Sequence, residues 1–340
     1  MSSLIVEVAE IRNVRPHPNA DSLDIAEVQG WQVVVKRGEY KTSDKVVYFP
    51  IDTLLPVELS DRFGVTQYLS KQRIKATRLR GEPSFGLVMP VEGEAWEVGQ
   101  DVAAHYGVTK WEPPVRETHN RGGGKFIEHK FAVPRNPLFA EYTGIENMRH
   151  YPDLFLDDEI VVITEKIHGT NSRIGIVDGE WLAGSHHVQR GEGDLLYWGP
   201  RQQAEWMVSV LGKVHKQVIL FGEIYGSDIQ SLDYGIQGHA GYRAFDLMID
   251  GSYCDWHTFD VLCALYHVAT VPKLYMGPFA LEVVRELASG PSTLPDATHL
   301  REGVVVKPIV ERTDPKIGRA ILKYVSDEYL LARKTDFKEE

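Results

Sequence analysis

The sequence predicts an α+β chain in two parts, a small N-terminal β-barrel followed by an antiparallel α+β domain. Residues 1 to 110 contain brief apolar runs separated by turn residues, which is typical of a small barrel. Residues 131 to 340 alternate strand-like runs, Asp-Gly hairpin signals and helix-like periodicity. A chain of 340 residues also exceeds what one hydrophobic core usually supports.

Five segments of the first part are predicted strands, because they are rich in β-branched and aromatic residues and are bounded by residues such as Pro16, Gly30 and Gly38. They are LIVEVAEI, LDIAEV, WQVVVKRG, KVVYFPI and SFGLVMPV. The barrel is therefore expected within residues 1 to 110.

A basic cluster lies in this barrel, with no acidic residue between Lys71 and Arg80. Its members are Lys71, Arg73, Lys75, Arg78 and Arg80. The net charge of -11 argues against a generally basic surface, yet affinity for nucleic acid depends on local charge. The cluster is either a solvated charged face or a nucleic-acid-binding surface. Placing its side chains on one side would need a bulge near Ala76 and Thr77.

Residues 111 to 130 are predicted to be a linker, stiff at Pro113 and Pro114 and flexible at Gly122 to Gly124. The glycine triplet could instead cradle a phosphate, but no P-loop lysine and hydroxyl follow at the required spacing.

The second domain is expected over residues 131 to 340, with hairpins at Asp178-Gly179 and Asp250-Gly251. Its predicted strands are EIVVITEK, SRIGIVDGEWLAGS, VILFGEIY, YRAFDLMIDGSYCDW, GVVVKP and AILKYV. Predicted helices run from Pro200 to Gly212, from near Thr258, from Phe279 to Gly290 and from near Ser326. Hairpins interspersed with helices favour an antiparallel α+β domain over a doubly wound sheet.

Targeting and cysteine signals are few. No apolar run is long enough to cross a bilayer and no basic-then-apolar leader is present, so we expect a cytoplasmic protein without a membrane partner. Cys254 and Cys263 are too few for a disulfide framework and lack metal-site spacing.

The stretch EKIHGTNSRIGI, residues 165 to 176, is the first candidate for chemistry. Lys166 ends an apolar strand and precedes small and polar residues, so a ligand can approach it closely. An amine attacks only when neutral, and because the reference pKa of lysine is about 10.4, nearby cations must lower it. Lys307 and Lys323, on later strands, are the candidates. A lysine without such company would be a solvated strand end.

The run KIHGTN from Lys166 to Asn171 is similar to the nucleotide-attachment motif of the covalent nucleotidyltransferase superfamily, and its HGTN ending resembles RNA ligases. Four further elements follow in that superfamily's order, FGEIYG from 221, RAFD from 243, REGVVVK from 301 and LK from 322. The stretch from Arg15 to Pro50 resembles the oligonucleotide-binding (OB) barrel appended to some aminoacyl-tRNA synthetases. With its barrel first, the chain resembles RNA ligase family five, in which an OB domain precedes the adenylyltransferase domain.

This resemblance implies an ATP-dependent RNA ligase. Lys166 would attack the α-phosphate of ATP, expel pyrophosphate and carry AMP, which passes to an RNA 5′-phosphate before a 3′-hydroxyl displaces it. Such phosphoryl transfers depend on positioning and charge neutralisation. The expected partner is RNA with 3′-hydroxyl and 5′-phosphate ends, arranged as a nicked duplex and bound by a monomer.

The resemblance also assigns the nucleotide site. Lys307 and Lys323 would contact the α-phosphate. Ile321 stands where family members often carry another lysine, so the phosphate contact rests on these two lysines alone, or on Arg319 from further off. Glu223 would bind the ribose, Phe245 would stack on adenine and Glu165 would accept from its amino group. The remaining members of the expected nucleotide site are His168, Gly169 and Asn171.

For the divalent metal, Mg²⁺ or Mn²⁺, the resemblance favours Glu302 and then Asp246. His168 stands where other superfamily members have aspartate, so it is expected to orient phosphate or end groups. Ser185-His186-His187 lacks the arginine that many RNA ligases have beside the serine, and Arg190 is a possible substitute for RNA contact.

In the barrel, phosphate contacts are expected from Arg73, Lys75, Arg78 and Arg80. Asp52 is either a turn residue or a carboxylate that reaches the metal or pyrophosphate. Two other functions stay open, a non-catalytic RNA-binding protein on a ligase scaffold and a ligase of DNA or mixed nicks. The many charges around one pocket argue against a scaffold.

Overall fold

The computed structural model describes residues 4–93, 95–111, 131–227 and 229–332. These separate into two compact units, one holding the residues up to 111 with Arg149–Tyr151, the other holding 131–148 and 152–332. The predicted linker, apart from Trp111, lies outside the described residues, and so does its glycine triplet. Its bounds therefore stay a prediction.

The first unit is a small β-structure with two short helices, α1 (Val57–Arg62) and α2 (Ala103–Tyr106). Its strands are β1 (Glu7–Pro16), β2 (Leu23–Val28), β3 (Trp31–Lys36), β4 (Lys45–Phe49), β5 (Thr53–Leu54), β6 (Thr77–Leu79), β7 (Glu82–Ser84), β8 (Leu87–Pro90) and β9 (Thr109–Lys110). The main sheet is antiparallel with the order β3-β2-β1-β4-β8, and β5 pairs with β9 and β6 with β7. All five predicted strands are present.

The bulge near Ala76 and Thr77 that a one-sided basic cluster would need is not present in the pairing of β6. Strand β6 pairs with β7 without a register shift, from Thr77 opposite Ser84 to Leu79 opposite Glu82. The turn between them is Arg80-Gly81, where both residues have positive φ, 50° and 93°. The basic residues are instead divided between an irregular segment before β6 and this exposed hairpin. The condition for placing all the basic side chains on one side of a strand is therefore not met, because the strand begins only at Thr77.

The second unit contains the remaining strands of the described residues. They are β10 (Glu146–Asn147), β11 (Ile160–Lys166), β12 (Thr170–Val177), β13 (Glu180–Gly184), β14 (Gln189–Arg190), β15 (Gln217–Tyr225), β16 (Gly241–Ile249), β17 (Ser252–Tyr253), β18 (Lys273–Pro278), β19 (Gly303–Pro308), β20 (Thr313–Asp314), β21 (Gly318–Arg319) and β22 (Leu322–Val325). One sheet has the order β10-β22-β19-β11-β18, a second the order β14-β13-β12-β15-β16-β17, and β20 pairs with β21. Among these pairs β10 with β22 is parallel and the others are antiparallel.

Both predicted hairpins of the second unit are present. Asp178 and Gly179 have φ values of 49° and 86°, and Asp250 and Gly251 have values of 48° and 84°. Positive φ at both central residues is the conformation that a two-residue hairpin turn requires. These turns fix the register of β12 with β13 and of β16 with β17.

The helices of the second unit are α3 (Leu195–Trp198), α4 (Arg201–Leu211), α5 (Trp256–Leu265), α6 (Leu281–Ala288) and α7 (Asp327–Leu331). Helix α4 buries Ala204, Met207 and Val208, which share one helical face, against Ile174 and Leu220 of the six-stranded sheet. Among the described residues, no helix combines the length and apolar character that crossing a membrane requires.

The opposite face of the six-stranded sheet contacts the five-stranded sheet. Ile219 and Phe221 of β15 pack with Val305 of β19 and with Ile321. Because side chains alternate along a strand, residues 219, 221 and 223 share this inner face. The predicted site residues lie at the polar ends of the inner faces of the two sheets.

Candidate active site

The register of three adjacent strands brings three lysines to one face of the five-stranded sheet. Lys166 of β11 is opposite Gly303 of β19, and Lys323 of β22 is opposite Val305. Directly opposed residues point to the same side of a sheet, and so do residues two apart on one strand. Lys307, two positions after Val305, therefore shares a face with Lys166 and Lys323.

Lys166 is in contact with Glu302, which immediately precedes β19. The Lys166 Nζ lies 2.6 Å from Glu302 Oε1, and His168 Nδ1 lies 3.4 Å from Glu302 Oε2. Burial alone would raise the pKa of Glu302, but the Lys166 charge and the His168 hydrogen bond outweigh it and lower the pKa to about 2. Glu302 is therefore a carboxylate at any physiological pH.

The contact with Glu302 differs from the expectation that cations surround Lys166. A carboxylate at 2.6 Å favours the protonated amine, whereas the predicted Lys307 is bound to acidic groups of its own. The sequence indicated Lys307 and Lys323 as the company of Lys166, but it gave no sign that Glu302 lies between Lys166 and His168.

The loop after Lys166 is held tightly. The His168 backbone N–H donates to the hydroxyl of the buried Tyr234 at 2.6 Å. A Cβ at Gly169 would lie 2.1 Å from the carbonyl oxygen of Ile224, so only glycine permits this approach of the loop to β15. The loop conformation is thus fixed by contacts with β15 and with the segment that contains Tyr234.

A second row of polar residues crosses the inner face of the six-stranded sheet. Asn171 of β12 is opposite Glu223 of β15, which is opposite Arg243 of β16. The Asn171 Oδ1 is buried and has no hydrogen-bond partner among the described residues. A buried amide oxygen in this state is a position at which a polar ligand would be stabilised.

Glu223 has an unusual protonation state. Burial raises its pKa, and although Lys166 lowers it, the nearby charge of Glu302 adds to the increase and the pKa reaches about 8. At pH 7 the Glu223 carboxyl is therefore mostly protonated, and it can both donate and accept hydrogen bonds.

Asp246 belongs to a buried charged cluster with Lys307. Its Oδ1 accepts from Lys307 Nζ at 2.6 Å, and its Oδ2 accepts from the Tyr142 hydroxyl at 2.6 Å and lies 2.8 Å from an Arg319 nitrogen. Glu311 completes the cluster, since it accepts from Lys307 at 3.1 Å and from Arg319. A register shift between Phe221 and Gly222 marks a bulge where β16 delivers Phe245 and Asp246.

The charges in this cluster balance, because two cations meet two carboxylates. Burial would raise the pKa of Asp246, but Lys307 and Arg319 lower it overall, and the carboxylate stays ionised. Both carboxylate oxygens of Asp246 have protein partners and the side chain is inaccessible, an arrangement that does not favour the predicted metal role. Arg319, the more distant substitute for a phosphate contact, shares these two carboxylates with Lys307, since its guanidinium is bound to Asp246 and Glu311.

The two residues predicted to bind adenine have protein partners. Glu165 is 1% exposed and accepts from the Ser292 hydroxyl at 2.5 Å, the Thr293 N–H at 2.8 Å and the Thr293 hydroxyl at 2.7 Å. Phe245 is half-buried, with its ring centroid 4.8 Å from that of Tyr142 in an edge-to-face contact. Phe245 thus keeps an accessible part, whereas Glu165 is inside the protein.

The predicted nucleic-acid contacts differ in accessibility. Lys75, Arg78 and Arg80 are exposed. Arg73 instead binds Asp52 through two nitrogens, at 2.8 and 2.6 Å, and its guanidinium carbon lies 3.3 Å from the Trp111 ring centroid. Asp52 has a φ of 69°, so it is a turn residue that also anchors Arg73.

Arg190 is buried in β14 of the second unit. Its Nε lies 3.7 Å from Asp194 Oδ2, and its guanidinium carbon lies 5.2 Å from the Tyr197 ring centroid. The Tyr197 hydroxyl is 3.1 Å from the Thr170 hydroxyl, so Arg190 is connected to the loop after Lys166 through Tyr197.

Several residues near the predicted site have no sequence signal that would identify them. Tyr142 and Tyr234 lie outside every motif, and they reach Asp246 and His168 only through tertiary contacts. Glu311 lies four residues after Lys307, and this spacing is a weak hint of an ion pair.

A divalent cation fits the residues around Glu302. Carboxylate oxygens are the donors that Mg²⁺ and Mn²⁺ prefer, and a pKa of about 2 keeps Glu302 available as an anion. The fit rests on Glu302, because its neighbour His168 offers an imidazole and not a second carboxylate.

Comparison with known proteins gives two family matches. A model described as RNA ligase matches residues 159–325, and a model of an OB-fold domain matches residues 5–91. No curated protein sequence matches the chain.

Solved structures give a match over nearly the whole chain. A ligand-free variant of Naegleria gruberi RNA ligase has a TM-score of 0.78 at 23% identity, covering 97% of this chain and 98% of that one. A second variant, with ATP and Mn, has a TM-score of 0.78 at 23% identity, covering 96% and 98%. A third, with AMP and Mn, has a TM-score of 0.77 at 23% identity, again over 96% and 98%. At this identity the likeness establishes the fold.

Strand-borne lysines on one face of a sheet, with a carboxylate beside the first, are the arrangement of a covalent nucleotidyltransferase. The region that matches the RNA ligase model, residues 159–325, includes all five motif elements, from Lys166 to Lys323. The chain belongs to the RNA ligase family, with an OB domain ahead of the catalytic domain.

Proposed function

We propose that this chain is an ATP-dependent RNA ligase that joins RNA 3′-hydroxyl and 5′-phosphate ends through AMP bound to Lys166. The observation that carries the proposal is the common face of Lys166, Lys307 and Lys323, with Lys166 Nζ 2.6 Å from Glu302. Relatives of the same fold have been solved with ATP and Mn and with AMP and Mn, which supports these ligands here.

In the first step a bond forms between Lys166 Nζ and the α-phosphorus, and the bond from that phosphorus to the β-phosphate oxygen breaks. The amine must lose a proton before it attacks, and Glu302 alone favours the ammonium form. Glu302 would hold a Mg²⁺ or Mn²⁺, whose charge would weaken this preference and would also neutralise the α-phosphate.

Lys307 and Lys323 are proposed to neutralise the α-phosphate. Lys307 is 4% exposed and is held by Asp246 and Glu311, so its ammonium cannot turn freely away from the site. We assign Asp246 to holding Lys307 and not to the metal. A preorganised charge needs little rearrangement when charge develops in the transition state.

The nucleotide is proposed to lie along the Asn171–Glu223–Arg243 row. Glu223, protonated near pH 7, would donate to one ribose oxygen and accept from a ribose hydroxyl. The accessible part of Phe245 would contact the base, and Gly169 would allow the loop backbone to approach the phosphates. Glu165 would act mainly by fixing the strand end that carries Lys166, through Ser292 and Thr293.

RNA is proposed to contact the OB domain at its exposed hairpin, through Arg78 and Arg80, and at the segment before it, through Lys75. The proposed substrate is a nicked duplex bound by one copy of the chain. Phosphate contacts position a nucleic acid without reading its sequence, which suits a repair enzyme. Arg73 contributes less because Asp52 and Trp111 already hold it.

The first test is self-adenylylation. Incubation with ATP labelled at the α-phosphate, with Mg²⁺ or Mn²⁺, should leave label covalently attached to the wild-type chain, and Lys166→Ala should abolish it. Lys273→Ala is the matched control, because that exposed lysine of the same unit also contacts a carboxylate, Asp260 at 3.0 Å, and should keep full labelling. An unlabelled wild type would contradict the proposal and favour a non-catalytic RNA-binding protein.

Sealing assays then test the polynucleotide substrate. We expect joining of a nicked RNA duplex to exceed joining of single strands and of nicks with DNA on either side. Preferred sealing of DNA or mixed nicks would contradict the RNA assignment without affecting the adenylylation result.

A further inference from the structure

Glu141, His186 and His187 form a cluster in the second unit that the ligase reaction does not use. One ligand atom from each lies within 4.8 Å of the other two. His187 Nδ1 is 2.9 Å from Glu141 Oε2, and the two imidazole centroids are 4.2 Å apart with nearly perpendicular rings. Three groups that can each donate an electron pair are thus already close together.

The backbone explains how adjacent histidines reach one place. Side chains of neighbouring residues in a strand point to opposite sides, but β13 ends at Gly184 and the chain bends at 186 and 187 before β14. Ser185 closes the turn, because its N–H donates to the Val188 carbonyl at 2.9 Å and its hydroxyl accepts from the Val188 N–H at 3.2 Å. The bend directs both imidazoles toward Glu141.

A buried arginine fixes the two segments that carry these residues. Arg173 of β12 is 0% exposed, donates to the Ser185 carbonyl at 2.9 Å and donates also to the Phe139 carbonyl. Ser185 precedes His186, and Phe139 lies two residues before Glu141. The segments on both sides of the cluster are therefore held by one side chain, and the cluster is a built arrangement instead of a chance meeting of flexible groups.

We propose that Glu141, His186 and His187 bind a divalent transition-metal ion of the zinc class. Two imidazoles and one carboxylate are a ligand set that Zn²⁺ accepts, with the fourth position left to water. Ligand atoms at about 2.1 Å from a metal lie roughly 3 to 3.5 Å apart. His187 is exposed and can make the small movement that this requires.

Charge and ligand type separate this site from that of Glu302. Arg135 lies 3.1 Å from Glu141 Oε1, and the buried Arg173 is also near, so a cation bound only by electrostatic attraction is disfavoured. Imidazole nitrogen favours Zn²⁺, Co²⁺ and Ni²⁺ over Mg²⁺. Arg135 is exposed and can move aside when a metal takes its carboxylate partner.

Binding would connect the β13–β14 turn to the segment before Tyr142. Glu141 is adjacent to Tyr142, whose hydroxyl donates to Asp246 in the Lys307 cluster. The metal would therefore stiffen one border of that cluster. It need not take part in chemistry.

The test is a titration of the metal-free full chain with Co²⁺ and Zn²⁺, followed by visible absorption and by metal content after equilibrium dialysis. We expect one bound equivalent with d–d bands of a four- or five-coordinate site, and no competition from a large excess of Mg²⁺. His186→Ala and His187→Ala should each weaken binding at least tenfold, and Glu141→Gln, which keeps the shape of the side chain, should do the same.

His215→Ala is the matched control, because His215 also lies 2.8 Å from a carboxylate, Asp250, but has no second imidazole beside it in the described structure. It should bind as the wild type does, and circular dichroism should show every variant folded. Failure of the wild type to bind Co²⁺ or Zn²⁺ overturns the proposal. So does binding that survives the His186→Ala/His187→Ala double substitution, or binding that Glu302→Gln alone abolishes.

Discussion

Two carboxyl groups near Lys166 have pKa values moved in opposite directions. Glu302 contacts the amine directly and its pKa falls to about 2, despite burial. Glu223 is governed by burial and by the charge of Glu302, and its pKa rises to about 8. At pH 7 one of the two is an anion and the other is mostly an acid, so a single negative charge faces the lysine. This division suits an anionic nucleotide, because a second carboxylate would repel it.

Substitution of Glu223 should change how stability depends on pH. Between about pH 5 and pH 8 the unfolded chain has ionised Glu223, whose ordinary pKa is 4.5, while the folded chain retains the proton. The unfolded state then binds fewer protons, and the free energy of unfolding falls with rising pH by up to about 1.4 kcal/mol per pH unit. Glu223→Gln should remove this slope.

Denaturant unfolding of both proteins at several pH values measures the difference. Contributions from histidines are common to both chains and cancel in it. Glu282→Gln, at an exposed position of α6, should follow the wild type. A wild-type-minus-Gln difference that is constant from pH 5 to pH 8 would contradict the raised pKa.

At the scale of elements, the bulge in β16 decides where the buried charges lie. It delivers Asp246 between Lys307 of the facing sheet, Tyr142 and Arg319. Two sheets are thereby joined by charged groups as well as by apolar packing. Removal of one partner from such a cluster leaves an uncompensated buried charge, which is more costly than loss of an exposed pair.

Asp246→Asn should therefore destabilise the second unit by about 3 to 5 kcal/mol. Asp260→Asn is the comparison, since its pair with Lys273 is exposed and should contribute less than about 1 kcal/mol. Urea unfolding followed by fluorescence gives both values. Equal losses in the two variants would mean that the Asp246 cluster is no stronger than a surface pair. Asp246→Asn should also reduce self-adenylylation in the folded chain, because Lys307 loses its anchor.

The strands and turns of the second unit show which parts of the fold could be predicted from the sequence. The motif strands and both Asp-Gly hairpins follow from local patterns, because register and turn chemistry are short-range properties. Strand β18 was missed, since KLYMGP has no clear alternation and ends in Gly-Pro. The cluster around Asp246 joins residues 104 positions apart in the chain, and no local pattern encodes such a contact. The partners of Asp246 could not be predicted for that reason, and its metal role stays a prediction.

The molecule as a whole has a net charge of -11, although the RNA that it is proposed to bind is a polyanion. Local charge resolves this conflict, because the β6–β7 hairpin and the segment before it present exposed basic groups. Salt should weaken RNA binding through release of counterions from the contacted phosphates. The OB domain and the catalytic domain should thus be separable in function.

Replacing Lys75, Arg78 and Arg80 together by alanine tests this separation. RNA affinity should fall, and the slope of log K against log salt should become shallower by roughly 2 to 3, while self-adenylylation stays unchanged. Alanine at Arg12, Lys36 and Lys41, three other exposed basic residues of the first unit, removes the same charge and should change the slope less. Equal effects of the two triple variants would argue against a binding surface at the hairpin.

The register that β11, β19 and β22 share makes the reactive centre depend on correct alignment of the five-stranded sheet. A slip by one residue between two of these strands would turn a lysine to the opposite side of the sheet. A sheet slipped in this way would therefore lack the complete set of lysines that the proposed reaction uses. In any preparation, the fraction of chains that accept AMP should equal the fraction in which this sheet is correctly aligned, so titrating the adduct counts well-folded molecules.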